Sequence, residues 1–192
     1  MKKILLIGAG GHCKSCIDVL EQIGEWQIAG IVDRKDSGVT EVLGYPVIGC
    51  DNDLVELRKQ YDYALVTVGQ IRSAELKIKL FNRIKRLGFI QPGLVSPLAY
   101  VSQHAQIGEG AIVMHHALIN AGVKVGSNCI INTKALIEHD AIVEDHCHIS
   151  TGAIINGGVV VGNQSFIGSC VTTKQAITIP PQSFIKAGAL VK

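Results

Sequence analysis

From Val95 onward an aliphatic residue returns every sixth position: Val95, Val101, Ile107, Val113, Ile119, Val125, Ile131, Ile137, Val143, Ile149, Ile155, Val161 and Ile167. Thr173 breaks the beat, and Ile179, Ile185 and Val191 resume it. An amphipathic helix repeats its apolar face about every 3.6 residues and a half-buried strand about every 2. A six-residue period sustained this long predicts a parallel β-helix, in which each hexapeptide forms one flat side of a coil. The position two before each aliphatic is nearly always small, as at Ala99, Ala105, Ala111, Ala117, Ala135, Ala141 and Ala153. Aliphatic side chains are expected to stack on their counterparts in the next coil, with the small residues permitting tight corners. Three sides close a coil, so about eighteen residues make one turn and roughly five coils share a continuous core. Cys129 and Cys147 occupy the small register one coil apart and read as corner residues.

Before Val95 the pattern changes. Residues 3–7 read as a buried strand, Gly8-Ala9-Gly10-Gly11-His12 as a glycine turn and 13–23 as a helix; 26–32 form a second strand that ends at Asp33. Residues 63–68 add a strand ending at Gly69, and Leu76, Leu80, Ile84 and Leu87 place an apolar stripe on a helix that stops at Gly88. The expectation is a small parallel α/β domain over residues 1–92, joined through the turn signal Pro92-Gly93 to a β-helix over 93–192. A glycine turn between strand and helix lets backbone N–H groups approach a phosphate at the helix N-terminus. A carboxylate at the end of the next strand accepts hydrogen bonds from ribose hydroxyls. Gly10, Gly11 and Asp33 fit those roles, although Cys13 stands where the last glycine of the full dinucleotide fingerprint would fall.

Composition narrows the partners. The 192 residues are 47% hydrophobic and 5% aromatic, which suits a core of stacked aliphatics, and the net charge of +2 gives little reason to expect nucleic acid. Lys77, Lys79, Arg83, Lys85 and Arg86 read as the solvated face of a helix. Only four consecutive apolar residues, Ile4 to Ile7, precede the first glycine, too few for a signal peptide or a membrane span, so a cytoplasmic location is expected. Six cysteines without paired spacings fit a reducing compartment, and the lone Cys13-x-x-Cys16 is explained by a helix face more simply than by redox chemistry.

Of seven histidines, His104, His115, His116, His139, His146 and His148 lie in the repeats and His12 in the glycine turn. His139 stands between Glu138 and Asp140, carboxylates able to hold the imidazole in one tautomer, as a general base requires. Adjacent residues on a strand point opposite ways, so a corner is needed to bring His139 and Asp140 together. His139 and His148 are nine residues apart, half a coil, and cannot lie on one face of one chain. A site using both must form where subunits meet, which motivates a cyclic oligomer, most simply a homotrimer.

The glycine turn with Asp33, the stretch from Asn132 through Glu138-His139-Asp140, and His148-Ile149-Ser150-Thr151-Gly152 with Ile167-Gly168-Ser169 resemble the bacterial sugar acyltransferases with hexapeptide repeats. That family includes sialic acid O-acetyltransferases and nucleotide-aminosugar N-acetyltransferases. The resemblance implies a Rossmann-like nucleotide-sugar domain, a left-handed β-helix, acetyl-CoA as co-substrate without a metal, and a trimeric active site. It implies that His139 is the general base and Asp140 the carboxylate that tunes it. Gly10, Gly11, His12, Asp33, Arg34 and Gly69 then match sugar-nucleotide contacts; Arg34 stands where relatives carry a second acidic residue. His148 matches a contact to the acetyl donor, with Gly157 and Ser169 as weaker candidates. Family members usually continue past the last coil into a tail that touches the acyl carrier, whereas this sequence ends at Lys192, which implies a different hold on the donor or a shortened chain.

The nucleotide-type turn favours N-acetylation of a UDP-linked 4-amino sugar in surface-glycan synthesis, while His148-Ile149-Ser150-Thr151 and Gly168-Ser169-Cys170 lie closer to sialic acid O-acetylation. A more distant alternative is a zinc-dependent lyase of the γ-carbonic-anhydrase type, with His139, His146 and His148 available as ligands.

Overall fold

The apolar run at the start of the chain becomes the strand around which the first half is built. In the computed structural model, which describes Met1–Lys192, β1 (Lys2–Ile7) has Ile4, Leu5, Leu6 and Ile7 fully buried, as befits a parallel strand covered on both faces. It pairs in parallel with β2 (Trp26–Val32) on one side and with β5 (Tyr63–Val66) on the other. A short antiparallel hairpin, β3 (Glu41–Val42) and β4 (Tyr45–Gly49), extends the sheet in the order β3-β4-β2-β1-β5; the sequence pattern had not indicated it. Helix α1 (Gly11–Ile23) turns Cys13, Cys16, Ile17, Val19 and Leu20 inward. It ends at Gly24 in the left-handed conformation, whose N–H bonds the Leu20 carbonyl.

Helices α2 (Leu54–Arg58) and α3 (Glu75–Arg86) complete this half. The expected stripe on α3 holds at Leu80 and Ile84, but Lys77 and Phe81 are buried beside them while Leu76 stays 57% exposed. Phe81 provides the apolar volume at i+1 beside Leu80, which rotates the buried face away from Leu76.

The repeats form a left-handed parallel β-helix of two-residue rungs stacked in three sheets of six, five and six strands. Ile119 pairs beside Ile137 and Ile137 beside Ile155, a stride of eighteen residues. The aliphatic register is the core: Ile119, Ile131, Ile137, Val143, Ile149 and Ile155 are inaccessible to solvent. The small register does more than relax the corners. Ala111, Cys129, Ala135, Cys147 and Ala153 are equally buried and pack among the aliphatics, as do Val123, Val159 and Val171 in the same register. The corners are turned by a third register, three before each aliphatic. It is left-handed at every step from Gly110 to Gly188, at nine residues with side chains and five glycines. Thr173, the one polar residue in the aliphatic column, is buried with its hydroxyl accepting the Asn156 N–H at 2.9 Å.

Two compact units result, Met1–Gly69 with Glu75–Pro92, and Gln70–Ala74 with Gly93–Lys192. The five residues from Gln70 thus pack with the β-helix and not with the domain that surrounds them in sequence. Gln70 is buried, its amide donates to the carbonyls of Gln164 and Ser165 at 3.3 and 3.4 Å, and its own carbonyl accepts from His148 Nδ1.

Candidate active site

His139 and Asp140 occupy a corner between the rungs Leu136–Ile137 and Ile142–Val143, and Asp140 is one of the left-handed residues, with φ of 59°. The corner removes the alternation of a strand. The two side chains turn to the same side, and His139 Nδ1 lies 2.9 Å from Asp140 Oδ2. A carboxylate accepts, so Nδ1 carries the proton and Nε2 presents its lone pair. Both side chains are open to solvent, 55% and 75% exposed. Below them, Glu138 Oε2 accepts from the Asn120 amide at 2.9 Å and from the His139 backbone N–H at 3.4 Å. One coil further on, Gly157 lies against the imidazole: a methyl group there would come within 2.8 Å of both Cε1 and Nε2.

His148 sits elsewhere on the coil, in the sheet that holds Ile130 and Phe166, and is 8% exposed. Asn132 Oδ1 accepts the Thr133 N–H at 2.8 Å, which turns its amide nitrogen toward His148 Nε2 at 3.1 Å. The Gln70 carbonyl accepts a hydrogen bond from Nδ1. Both ring nitrogens of His148 are therefore engaged, and Phe166 packs edge-on against the ring. Ser169 exchanges a hydrogen bond with Ser150 at 3.0 Å, at a corner other than that of His139 and Gly157. Gly157 thus joins His139 within one chain, whereas His148 and Ser169 do not. His146 Nδ1 is bonded to Asn128, and no group of three His, Cys, Asp or Glu side chains suited to a metal ion assembles.

In the first unit the glycines divide into two kinds. Gly8 has φ of 113°, and a side chain there would collide with Val68 Cγ2 at 2.5 Å, so the fold itself requires it. Gly10 and Gly11 have no left-handed backbone and nothing within 4 Å of where a side chain would stand. They leave open space before the N-terminus of α1, whose cap, Gly10, makes no side-chain hydrogen bond and whose first turn holds no acidic residue. Gly69 borders the same turn: a methyl group there would lie 3.7 Å from the His12 Cβ. Asp33 follows β2, its N–H bonded to the Gly49 carbonyl at 3.2 Å, and with Arg34 it lines a cleft between Gly8, Asp51, Val68 and Leu76. The exposure of Leu76 is explained by that cleft, and the spacing of apolar residues gave no hint of it. Arg34 reaches Asp36 at 3.5 Å on the open surface. Cys13 and Cys16 face the core. Burial pushes the Cys13 thiol up to about 11 and the Cys16 thiol well above its ordinary value, so neither is a thiolate at neutral pH.

Residues 3–84 match the PglD N-terminal domain and residues 104–139 the six-repeat bacterial transferase hexapeptide. Over the whole chain the protein superposes on PerB from Caulobacter crescentus, solved in complex with CoA and GDP-perosamine, with a TM-score of 0.92, 34% identity and 89% of that chain covered. The chain belongs to the bacterial sugar acetyltransferase family. A second sugar acetyltransferase structure, the acetyltransferase domain of PglB from Neisseria gonorrhoeae in complex with acetyl coenzyme A, matches with a TM-score of 0.89 and 31% identity, covering 99% of this chain and 92% of that one. Among curated proteins, the uncharacterized protein L142 of Acanthamoeba polyphaga mimivirus is 32% identical over 118 residues, a match over 62% of this chain that spans 22% of that relative's length.

Proposed function

We propose that this protein is an acetyl-CoA-dependent transferase that N-acetylates a nucleotide-linked amino sugar, a UDP-linked 4-amino sugar, for surface-glycan synthesis in the cytoplasm. The observation that carries the reading is the His139–Asp140 pair, with Nδ1 committed to the carboxylate and Nε2 open, in a chain that matches sugar acetyltransferases from end to end. The resemblance to proteins solved with CoA and with a nucleotide amino sugar supports the two substrates.

The chemistry follows from the tautomer. The uncharged amine of the sugar attacks the thioester carbonyl, and His139 Nε2 takes a proton as the C–N bond forms. The C–S bond then breaks, and the CoA sulfur leaves with the proton that the imidazolium returns. Asp140 holds Nδ1–H throughout and stabilises the cation that forms. A base so placed contributes about 10²–10⁴-fold. For the acceptor, the open space at Gly10 and Gly11 before the α1 N-terminus suits a diphosphate, with Asp33 toward the ribose and His12, Arg34 and Gly69 around it. For acetyl-CoA we assign Gly157, beside the imidazole, together with His148 and Ser169. Since the last two lie away from the His139 corner, this assignment calls for a second copy of the chain, and a homotrimer is the simplest closed arrangement.

The test is release of free thiol from acetyl-CoA with a UDP-linked 4-amino sugar, with GDP-perosamine, and with sialic acid as acceptors. We expect turnover with a nucleotide amino sugar and loss of at least about a hundredfold in the His139→Ala variant with the fold intact. Turnover with sialic acid alone would replace N- by O-acetylation. Near-normal rates in His139→Ala would remove the base assignment.

A further inference from the structure

The left-handed corners of this β-helix do not by themselves demand glycine. Nine of them carry side chains, among them Ala176 and Asp140, in the same corner column as Gly122 at the stride of eighteen. The corner glycines also differ in the room around them. A methyl group at Gly188 would meet nothing within 4 Å, and at Gly158 it would rest on Ala176 at an ordinary 3.8 Å. At Gly122 it would land 2.5 Å from Asp140 Oδ1, while the Asp140 backbone N stays 3.5 Å away. The carboxylate of Asp140 and a side chain at position 122 therefore claim the same space.

We propose that Gly122 is a positioning residue for catalysis, acting through Asp140 on His139; this rests on the reading of His139 as the base. The vacancy over Gly122 lets the Asp140 carboxylate lie back on the preceding coil and reach His139 Nδ1 at 2.9 Å. An alanine at 122 is relieved most cheaply by rotating that exposed carboxylate, since the coil's backbone need not move. The imidazole then loses the partner that keeps its proton on Nδ1. A ring protonated on Nε2 has no lone pair to offer the amine.

Two readouts test this. The first is independent of turnover: nitrogen NMR of the histidine rings, with His139 assigned by its loss in His139→Ala. We expect the Nδ1–H tautomer in the unaltered protein and a mixture in Gly122→Ala. The second is kinetic. Gly122→Ala should lower kcat about ten- to hundredfold with KM for acetyl-CoA changed less than about twofold and the pH profile of kcat displaced, as for a misplaced catalytic group. Added to Asp140→Asn, it should cost less than about a further twofold, because both changes remove one interaction. Gly188→Ala, an equally left-handed corner with open space, should leave kcat and the tautomer unchanged. The proposal is overturned by an unchanged tautomer in Gly122→Ala, by losses that multiply with Asp140→Asn, or by Gly122→Ala failing to fold while Gly188→Ala folds. Absence of acetyl transfer in the unaltered protein would sink the enzymatic reading and leave the ring tautomer to decide the contact.

Discussion

The imidazole of His139 is held from two sides, by a carboxylate on Nδ1 and by the bare Cα of Gly157 one coil on. Gly157 is not left-handed, so an alanine there suits the backbone, and its cost falls on the ring. Gly157→Ala is expected to push the imidazole off its position and lower kcat about tenfold or more while the unfolding midpoint barely moves. Thiol-release kinetics beside thermal unfolding separate the two effects; a large loss of stability with kcat retained would mean that the glycine serves packing alone. The two proposed catalytic residues stood out in the sequence because an imidazole between two acids is a recognisable arrangement. Gly122 did not, and Gly157 did so only as a donor contact and not as a neighbour of the imidazole, because a missing side chain has meaning only beside the atom that fills its place.

At the level of elements, α1 illustrates how a familiar spacing misleads. Cys13-x-x-Cys16 suggests reactive thiols, yet both residues are buried, and burial raises both pKa values. The sign of the pH dependence follows. The folded protein holds the Cys13 proton up to about 11, whereas an unfolded chain releases it from 9.0, so its contribution to stability is complete below pH 9.0 and is lost as pH rises toward 11. That window corresponds to on the order of 2 kcal/mol for one thiol. Urea unfolding across it should show a steeper loss in the unaltered protein than in Cys13→Ala. In the folded protein exposed Cys170 should react with a thiol reagent, and buried Cys13 and Cys16 should not. The corners make a related point for the repeats. Their six-residue beat is written in the aliphatics, but the left-handed register that turns the coil is occupied by His, Asn, Lys, Asp, Gln, Cys, Ala and Gly, and so carries no composition to read.

Across the whole molecule, the candidate donor contacts and the candidate base lie on different parts of the coil, and the proposed site requires a neighbouring copy. Sedimentation at assay concentrations is expected to give a trimer, with activity falling on dilution below its dissociation. A fully active monomer would return the donor assignment of His148 and Ser169 to a structural role, for which the bonds of His148 to Gln70 and Asn132 already suffice.

The sequence by itself determined the architecture. Burial of a repeated aliphatic column has one economical solution, a stack of flat rungs, and a glycine turn after an apolar run has few, so both halves were legible in one dimension, and His139, Asp140 and Asp33 could be named there as candidates. Tertiary structure decided what depends on neighbours eighteen residues or a whole domain away. The strap from Gln70 to Ala74, the engaged nitrogens of His148, the cleft beside Leu76 and the empty places over Gly122 and Gly157 all arise between segments that no local pattern couples. Periodicity fixes which side chains face inward, and contact across coils fixes what each of the others is free to do.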